Sequence, residues 1–240
     1  MTVNTTQQSL VFIHGSGDSA RVWDDVIALL PEYETIALDL PGHGALADAP
    51  LASVDVVSYA EWVRAELERR GIERPMLIGH SLGGAVVLQL ALAAPTSVGR
   101  LGLVGTGARL RVAPAFLQTA QSAGEAGTTQ TPEITRVGFT EAHVALADAY
   151  DARRAQTAPG MLFHDLSACN QFDIMADLER ISQPTLIIVG AEDRMTPAKF
   201  SAFLQSSIAG SELIVVPNAG HYVQIEDPQR VADALRVWLA

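Results

Sequence analysis

The stretch Met76-Leu77-Ile78-Gly79-His80-Ser81-Leu82-Gly83-Gly84-Ala85-Val86-Val87-Leu88-Gln89-Leu90-Ala91 decides the fold. A short apolar run ends in Gly79-His80-Ser81-Leu82-Gly83, and an apolar run of helical period starts at once. That order reads as a strand, a turn with no room for side chains at its flanks, and a helix. Gly79 and Gly83 lack the Cβ that would collide where strand and helix cross. Ser81 is thereby raised to the tip of the turn. Its hydroxyl is exposed in front of the unsatisfied N–H groups and partial positive charge of a helix N-terminus. Gly-x-Ser-x-Gly alone occurs by chance in roughly one chain of this length in ten, so its neighbours have to carry the argument.

Upstream, Ser9-Leu10-Val11-Phe12-Ile13 is a β-rich run stopped by His14-Gly15-Ser16-Gly17, and Glu34-Thr35-Ile36-Ala37-Leu38-Asp39 is a second run stopped by Leu40-Pro41-Gly42-His43-Gly44. Ser58 is an N-cap candidate, with Glu61 three residues on, for a helix from Tyr59 to Arg70 closed by Gly71. Downstream, Arg100-Leu101-Gly102-Leu103-Val104-Gly105 is a fourth strand. Strands alternating with helices predict a mostly parallel sheet covered on both faces, with ligands at the carboxyl ends of its strands.

From Ala108 the alternation stops. Residues 108–183 carry helical segments, Pro114 to Ala123 and Glu141 to Ala152 among them, a loop from Gly124 to Pro132, and no convincing strand. Pro184 to Gly190 and Glu212 to Val216 then resume the sheet, and Pro228 to Leu239 is a closing helix. The expectation is an α/β core of about six strands, residues 1–107 and 184–240, with a helical cap of residues 108–183 inserted before the last two strands.

The bulk numbers narrow the function classes. The chain of 240 residues has 48% hydrophobic side chains, ample for one large core. A formal charge of −11, from 16 basic against 27 acidic side chains, repels nucleic acid and anionic membranes. No apolar run reaches the length of a membrane span, and Met1 to Gln8 has neither the basic region nor the apolar core of a signal peptide, so a cytoplasmic location is expected. The single cysteine, Cys169, excludes an internal disulfide and a thiolate metal cluster, and reads as a packing residue. No His/Asp/Glu cluster has metal-ligand spacing and no glycine loop has dinucleotide form, so neither metal nor cofactor is expected.

Asp193 lies just past the fifth strand in Gly190-Ala191-Glu192-Asp193-Arg194-Met195-Thr196-Pro197, and His221 just past the last in Asn218-Ala219-Gly220-His221-Tyr222. Both fall on the sheet edge that carries Ser81. The arrangement suits a base that takes the serine proton and a carboxylate that orients it and stabilises the imidazolium. Glu192 is the rival acid.

Together, His14-Gly15-Ser16-Gly17, Asp39-Leu40-Pro41-Gly42-His43-Gly44, Gly79-His80-Ser81-Leu82-Gly83-Gly84, Gly190-Ala191-Glu192-Asp193 and Gly220-His221 resemble the α/β-hydrolases of the esterase type, in order and from about Ser9 to the end. The resemblance implies Ser81 as nucleophile, Asp193 as acid and His221 as base. It also implies an oxyanion hole from the backbone N–H groups of Ser16 and Leu82. Two departures stand out. Family members usually begin with an antiparallel hairpin, for which only Met1 to Gln8 remain, and the alternative acid position after the fourth strand, Gly105-Thr106-Gly107, holds no carboxylate.

The other histidines have plainer readings. His14 packs under the oxyanion loop, His43 bonds loop backbone and His80 packs beside the elbow, while the pattern leaves His143 and His164 open. Arg109, Arg111, Arg136, Arg153 and Arg154 either pair with a carboxylate-bearing substrate or are solvated cap charges. The expected activity is hydrolysis of a small carboxylic ester through an acyl-enzyme on Ser81, by a monomer or homodimer. A lactone, a carbon–carbon bond in a ring-cleavage product, or a non-catalytic receptor of the same fold are the alternatives.

Overall fold

Six short runs rich in branched apolar residues form the sheet of the computed structural model, which describes residues 8–49, 51, 53–153 (Arg153 through its backbone alone) and 157–240. They are β1 (Leu10–Ile13), β2 (Thr35–Leu38), β3 (Met76–His80), β4 (Arg100–Val104), β5 (Thr185–Gly190) and β6 (Glu212–Val216), in the order β2-β1-β3-β4-β5-β6. Every pairing is parallel. The central strands β1 and β3 are buried on both faces, which is why they read as unbroken apolar runs rather than alternating ones. Residues 1–7, where any leading hairpin would lie, are outside the described residues.

Register brings the strand ends level. Ile13 pairs with Gly79, His80 with Val104, Val104 with Ile188, and Gly190 with Val216. The loops after β1, β3, β4, β5 and β6 therefore open on one edge of the sheet.

Helices α1 (Asp24–Ala28), α2 (Val56–Arg70) and α3 (Leu82–Ala93) connect the first four strands. In α2, Val56, Tyr59, Ala60, Val63 and Leu67 make a buried stripe, and Gly71 closes the helix at φ 68°. Its N-cap is Asp55, not Ser58. The Asp55 carboxylate accepts the Ser58 N–H at 2.8 Å, so the helix starts a turn earlier than the Ser58/Glu61 pattern implies. Helix α3 has almost no polar face and is buried nearly all round, in one core cluster with α2.

Between β4 and β5 the described residues hold α4 (Pro114–Glu125), α5 (Pro132–Gly138), α6 (Ala145–Arg153) and α7 (Met161–Gln171), with one isolated antiparallel bridge, Arg109 to Asp173. The expected helix from Glu141 is divided: a single 3-10 turn at Glu141–His143 precedes α6. Ala120, Ile134, Leu162 and Leu166 join α4, α5 and α7 in an apolar cluster of their own. The chain closes with α8 (Ala198–Ser207), α9 (Val223–Glu226) and α10 (Pro228–Leu239). Among the described residues no helix is long and apolar enough to cross a membrane.

A Cβ at Gly79 would strike the backbone of Gly83 and Gly84, and one at Gly83 the carbonyls of Ile13 and His14. Backbone cannot swing aside as a side chain can. Gly79→Ala should therefore cost more than about 3 kcal/mol, at or beyond the upper end for core overpacking. Denaturant unfolding checks this, and a variant within 1 kcal/mol of the parent (order of magnitude) would contradict the close crossing.

Candidate active site

Ser81 joins β3 to α3 with φ 51° and ψ −113°, a conformation few residues with a side chain adopt. Strain of this kind costs of order 1–3 kcal/mol and persists only where the surroundings over-determine it. Here they do. The Ser81 N–H donates to the Val104 carbonyl at 3.0 Å, and the Ser81 carbonyl accepts the Thr106 hydroxyl at 2.8 Å and the Gly84 N–H at 3.0 Å. Leu82 is the first residue of α3, so its N–H belongs to the unsatisfied helix N-terminus behind Ser81.

His221 sits between β6 and α9, its backbone N–H donating to the Gly138 carbonyl at 2.7 Å. Its Nδ1 lies 3.0 Å from Asp193 Oδ2, and both side chains are buried. Asp193 Oδ1 accepts the N–H groups of Met195 and Thr196, each at 2.8 Å, and the Thr196 hydroxyl lies 2.8 Å from Oδ2. Burial works against the Asp193 charge, but the neighbouring His221 and these hydrogen bonds outweigh it and hold the carboxyl below the usual carboxylate range. Glu192 is exposed.

Gly15, Ser16, His80, Ser81 and His221 line a cavity of about 250 Å³ at the carboxyl edge of the sheet. Much of its apolar wall comes from Leu110, Val112, Phe116, Ile134, Leu162 and Leu166 in the insertion between β4 and β5, with Met195, Phe200 and Tyr222 added from the core. The structure thus brings Ser16, Ser81 and His221 to one cavity, with Leu82 behind Ser81 and Asp193 behind His221.

His14 is fully buried, its Nδ1–H donating to the Gly15 carbonyl at 2.8 Å and its Nε2 accepting the Leu40 N–H at 3.0 Å. His80 donates from Nε2 to the His221 carbonyl at 3.0 Å, and its Nδ1 has no hydrogen-bond partner among the described residues. Burial, reinforced by the charge of a neighbouring histidine, pushes His14 down to about 4 and His80 to about 3. His43 does bond loop backbone, at the Pro41 carbonyl, but also reaches Asp165 Oδ2 at 2.9 Å. His143 lies 3.1 Å from the buried Glu226, and His164 is exposed. Cys169 is buried on the cavity wall, and burial pushes its thiol up to about 12, so it is a packing residue there.

Three residues at the site belong to no chemical motif. Thr196 braces Asp193, Glu226 accepts the Gly220 N–H at 2.8 Å beside His221, and Asp165 accepts from the loop that carries Ser16. No local pattern announces them, because each also ties in a segment far off along the chain: Thr196 the Gly105 carbonyl, Glu226 the Thr140 N–H and Asp165 the Gly17 N–H.

Residues 10–234 match the alpha/beta hydrolase family. The chain belongs to that family. It is 31% identical over 232 residues to a pimeloyl-[acyl-carrier protein] methyl ester esterase of Neisseria meningitidis, covering 89% of this chain and 71% of the relative. It is 31% identical over 245 residues to a 2-succinyl-6-hydroxy-2,4-cyclohexadiene-1-carboxylate synthase of an Enterobacter species, covering 94% and 89%. A thermophilic esterase of known structure superposes with a TM-score of 0.78 at 33% identity, covering 96% of this chain and 88% of the other. This alpha/beta hydrolase thus has esterases among its relatives, and a synthase as well. Among its described residues no group of three or more His, Cys, Asp or Glu side chains is placed to hold a metal ion.

The buried histidines set an acid limit on stability. His14 and His80 are depressed, so the unfolded chain takes up these protons first, and the stability tied to their neutral forms is complete above pH 6.5 and lost as pH falls toward 4 and 3. His43 is raised and works the other way, adding stability below 6.5. At pH 4.5 His80 alone should remove about 3 kcal/mol. Urea midpoints at pH 7.5 and 4.5 measure the net effect, and equal midpoints would contradict neutral burial of this pair.

Proposed function

We propose that this alpha/beta hydrolase is a serine esterase acting on small carboxylic esters with an apolar acyl group. The observation that carries the reading is the meeting, at one cavity, of the strained Ser81 turn with a His221 ring tied to a buried Asp193 carboxylate. In this reading Ser81 Oγ attacks the ester carbonyl and His221 takes its proton. Asp193 stabilises the imidazolium through Nδ1–H. The N–H groups of Ser16 and Leu82 hold the oxyanion, His221 returns the proton to the leaving alcohol, and water then releases the acid by the same steps. His80, held neutral beside the base, places no competing charge there. Residues 108–183 serve as the cap that shapes the acyl site and keeps bulk water out.

The arginines at and around the cavity favour a neutral acyl group over the keto acids of carbon–carbon bond hydrolysis. Arg111 and Arg194 line the cavity but are exposed, and their guanidinium groups already bond the Asn170 and Phe139 carbonyls, with Asp173 also 3.5 Å from Arg111. Arg109 and Arg136 pair with Asp173 and Asp148. The side chains of Arg153 and Arg154 are outside the described residues. A lactone presents the same carbonyl chemistry and is the second reading.

Ser81→Ala should lower kcat/KM on p-nitrophenyl butyrate by at least about 10³-fold with the unfolding midpoint preserved. Asp193→Asn should approach that loss, while Glu192→Gln stays within about twofold, since an exposed charge beside the buried one adds little. A Glu192 effect larger than that of Asp193 would move the role. A fluorophosphonate should label Ser81 in the parent, and absence of labelling would favour a receptor.

Acyl length tests the cavity. Each methylene buried against its apolar wall is worth about 0.8 kcal/mol, or about fourfold in kcat/KM, until the space is filled. Rates along the p-nitrophenyl series should climb from acetate, peak at an intermediate length and fall, and Leu166→Phe should shift the peak to shorter acyl groups. A flat series, unchanged in the variant, would count against an acyl site under the cap.

A further inference from the structure

Asp165 lies on α7, far in sequence from every motif, and its side chain is fully buried. A carboxylate in that position is stable only if paired and hydrogen-bonded. It is both. Asp165 Oδ2 accepts the backbone N–H of Gly17 at 2.8 Å and faces His43 Nε2 at 2.9 Å, while Oδ1 accepts the Tyr59 hydroxyl at 2.7 Å. Burial disfavours both charges, yet the attraction and hydrogen bond between His43 and Asp165 raise the imidazole and lower the carboxyl, which favours the ion pair. One carboxylate of the insertion thus joins the Gly15-Ser16-Gly17 loop, the Pro41-Gly42-His43 loop and α2.

Gly17 directly follows Ser16, whose N–H is one of the two oxyanion donors in the reading above. The insertion grips the same loop elsewhere: the Thr157 hydroxyl donates to the Gly17 carbonyl at 3.3 Å, Tyr150 donates to the Asp18 carboxylate, and Cys169 Sγ lies 3.6 Å from Ser16 Oγ. Asp165 brings a buried carboxylate from the insertion to the backbone N–H that directly follows Ser16, and hydrogen bonds to an ionised acceptor are about twice as strong as neutral ones.

We infer that Asp165 is a positioning residue for the oxyanion hole, fixing the Ser16 N–H through the Gly17 N–H, so that transition-state stabilisation depends on the insertion between β4 and β5 being docked. The inference rests on the proposed role of the Ser16 N–H. A donor displaced by a fraction of an ångström still binds a neutral carbonyl weakly, but fails the oxyanion, so its loss falls on kcat and not on KM. Asn at this position retains an oxygen for the Gly17 N–H but no charge for His43, and should lie between the parent and alanine.

The test compares Asp165→Ala, Asp165→Asn and Val98→Ala in the full chain. Val98 is buried just before β4, at the opposite edge of the sheet, and reports generic destabilisation. The substrate is p-nitrophenyl butyrate. The probe is a butyl trifluoromethyl ketone, whose carbonyl carbon adds Ser81 Oγ while the proton passes to His221, leaving an oxyanion.

Asp165→Ala should lose about 10²-fold in kcat, the scale of one oxyanion donor. KM should stay within about threefold, and affinity for the ketone should fall in step with kcat. Asp165→Asn should lose about 3–10-fold in both, and it decides alone if the alanine variant does not fold. Losses confined to KM, no loss in either quantity, or an equal loss in Val98→Ala at matched melting temperature would each overturn the inference. Ser81→Ala separates the two claims: turnover and ketone binding that survive it sink the site reading itself, whereas their loss there beside unchanged Asp165 variants sinks only the positioning role.

Discussion

Strand β3 and helix α3 cross so closely at Gly79 and Gly83 that backbone meets backbone, and Ser81 has to bridge them at φ 51° and ψ −113°. Everything else at the carboxyl edge follows from that constraint. Val104 and Thr106, at the end of β4, clamp the peptide groups of Ser81 on both sides. The parallel register then sets the ends of β1 and β4 level with it. A turn that lifts a hydroxyl free of its own helix and points it away from the sheet is affordable only inside a core of this size, where strain of order 1–3 kcal/mol is offset by the burial of α3 on nearly all sides.

Around that turn the fold sorts its histidines by charge through burial and partners. His14 and His80 have backbone partners for one or both nitrogens and no carboxylate, so desolvation wins and they stay neutral. His43 is equally buried but meets Asp165, and the attraction wins. His221 also meets a carboxylate, Asp193, and lines the cavity. Four imidazoles within one sheet edge thus have different electrostatic tasks: two are neutral scaffolding, one is half of a structural ion pair, and one faces the space where a substrate would bind.

The amino-acid sequence by itself determined the frame. Parallel strands buried on both faces leave unbroken apolar runs, glycines mark where backbones touch, and residues just past strand ends fall on one edge. Those local signatures located Ser81, Asp193 and His221 at the edge where the structure finds them, while Ser16 and Leu82 came from the family resemblance. The boundaries that slipped were likewise local contests, as where Asp55 rather than Ser58 captures the first turn of α2.

Only the tertiary structure decided where the insertion docks. Helices α4 to α7 carry no alternation and no fixed spacing to the core, because their contacts are made by the docking of irregular helices rather than by a repeating ladder. Asp165 illustrates the reason: its partners Gly17, His43 and Tyr59 lie 148, 122 and 106 residues away, and nothing in its neighbours Phe163, His164, Leu166 or Ser167 marks it as a buried ion. Thr196 and Glu226 were invisible for the same cause, since each ties its own loop to a distant one, Thr196 to the Gly105 carbonyl 91 residues away and Glu226 to the Thr140 N–H 86 residues away. Side chains that define an element are written in local periodicity, whereas side chains that join two elements are specified only once both elements are in place.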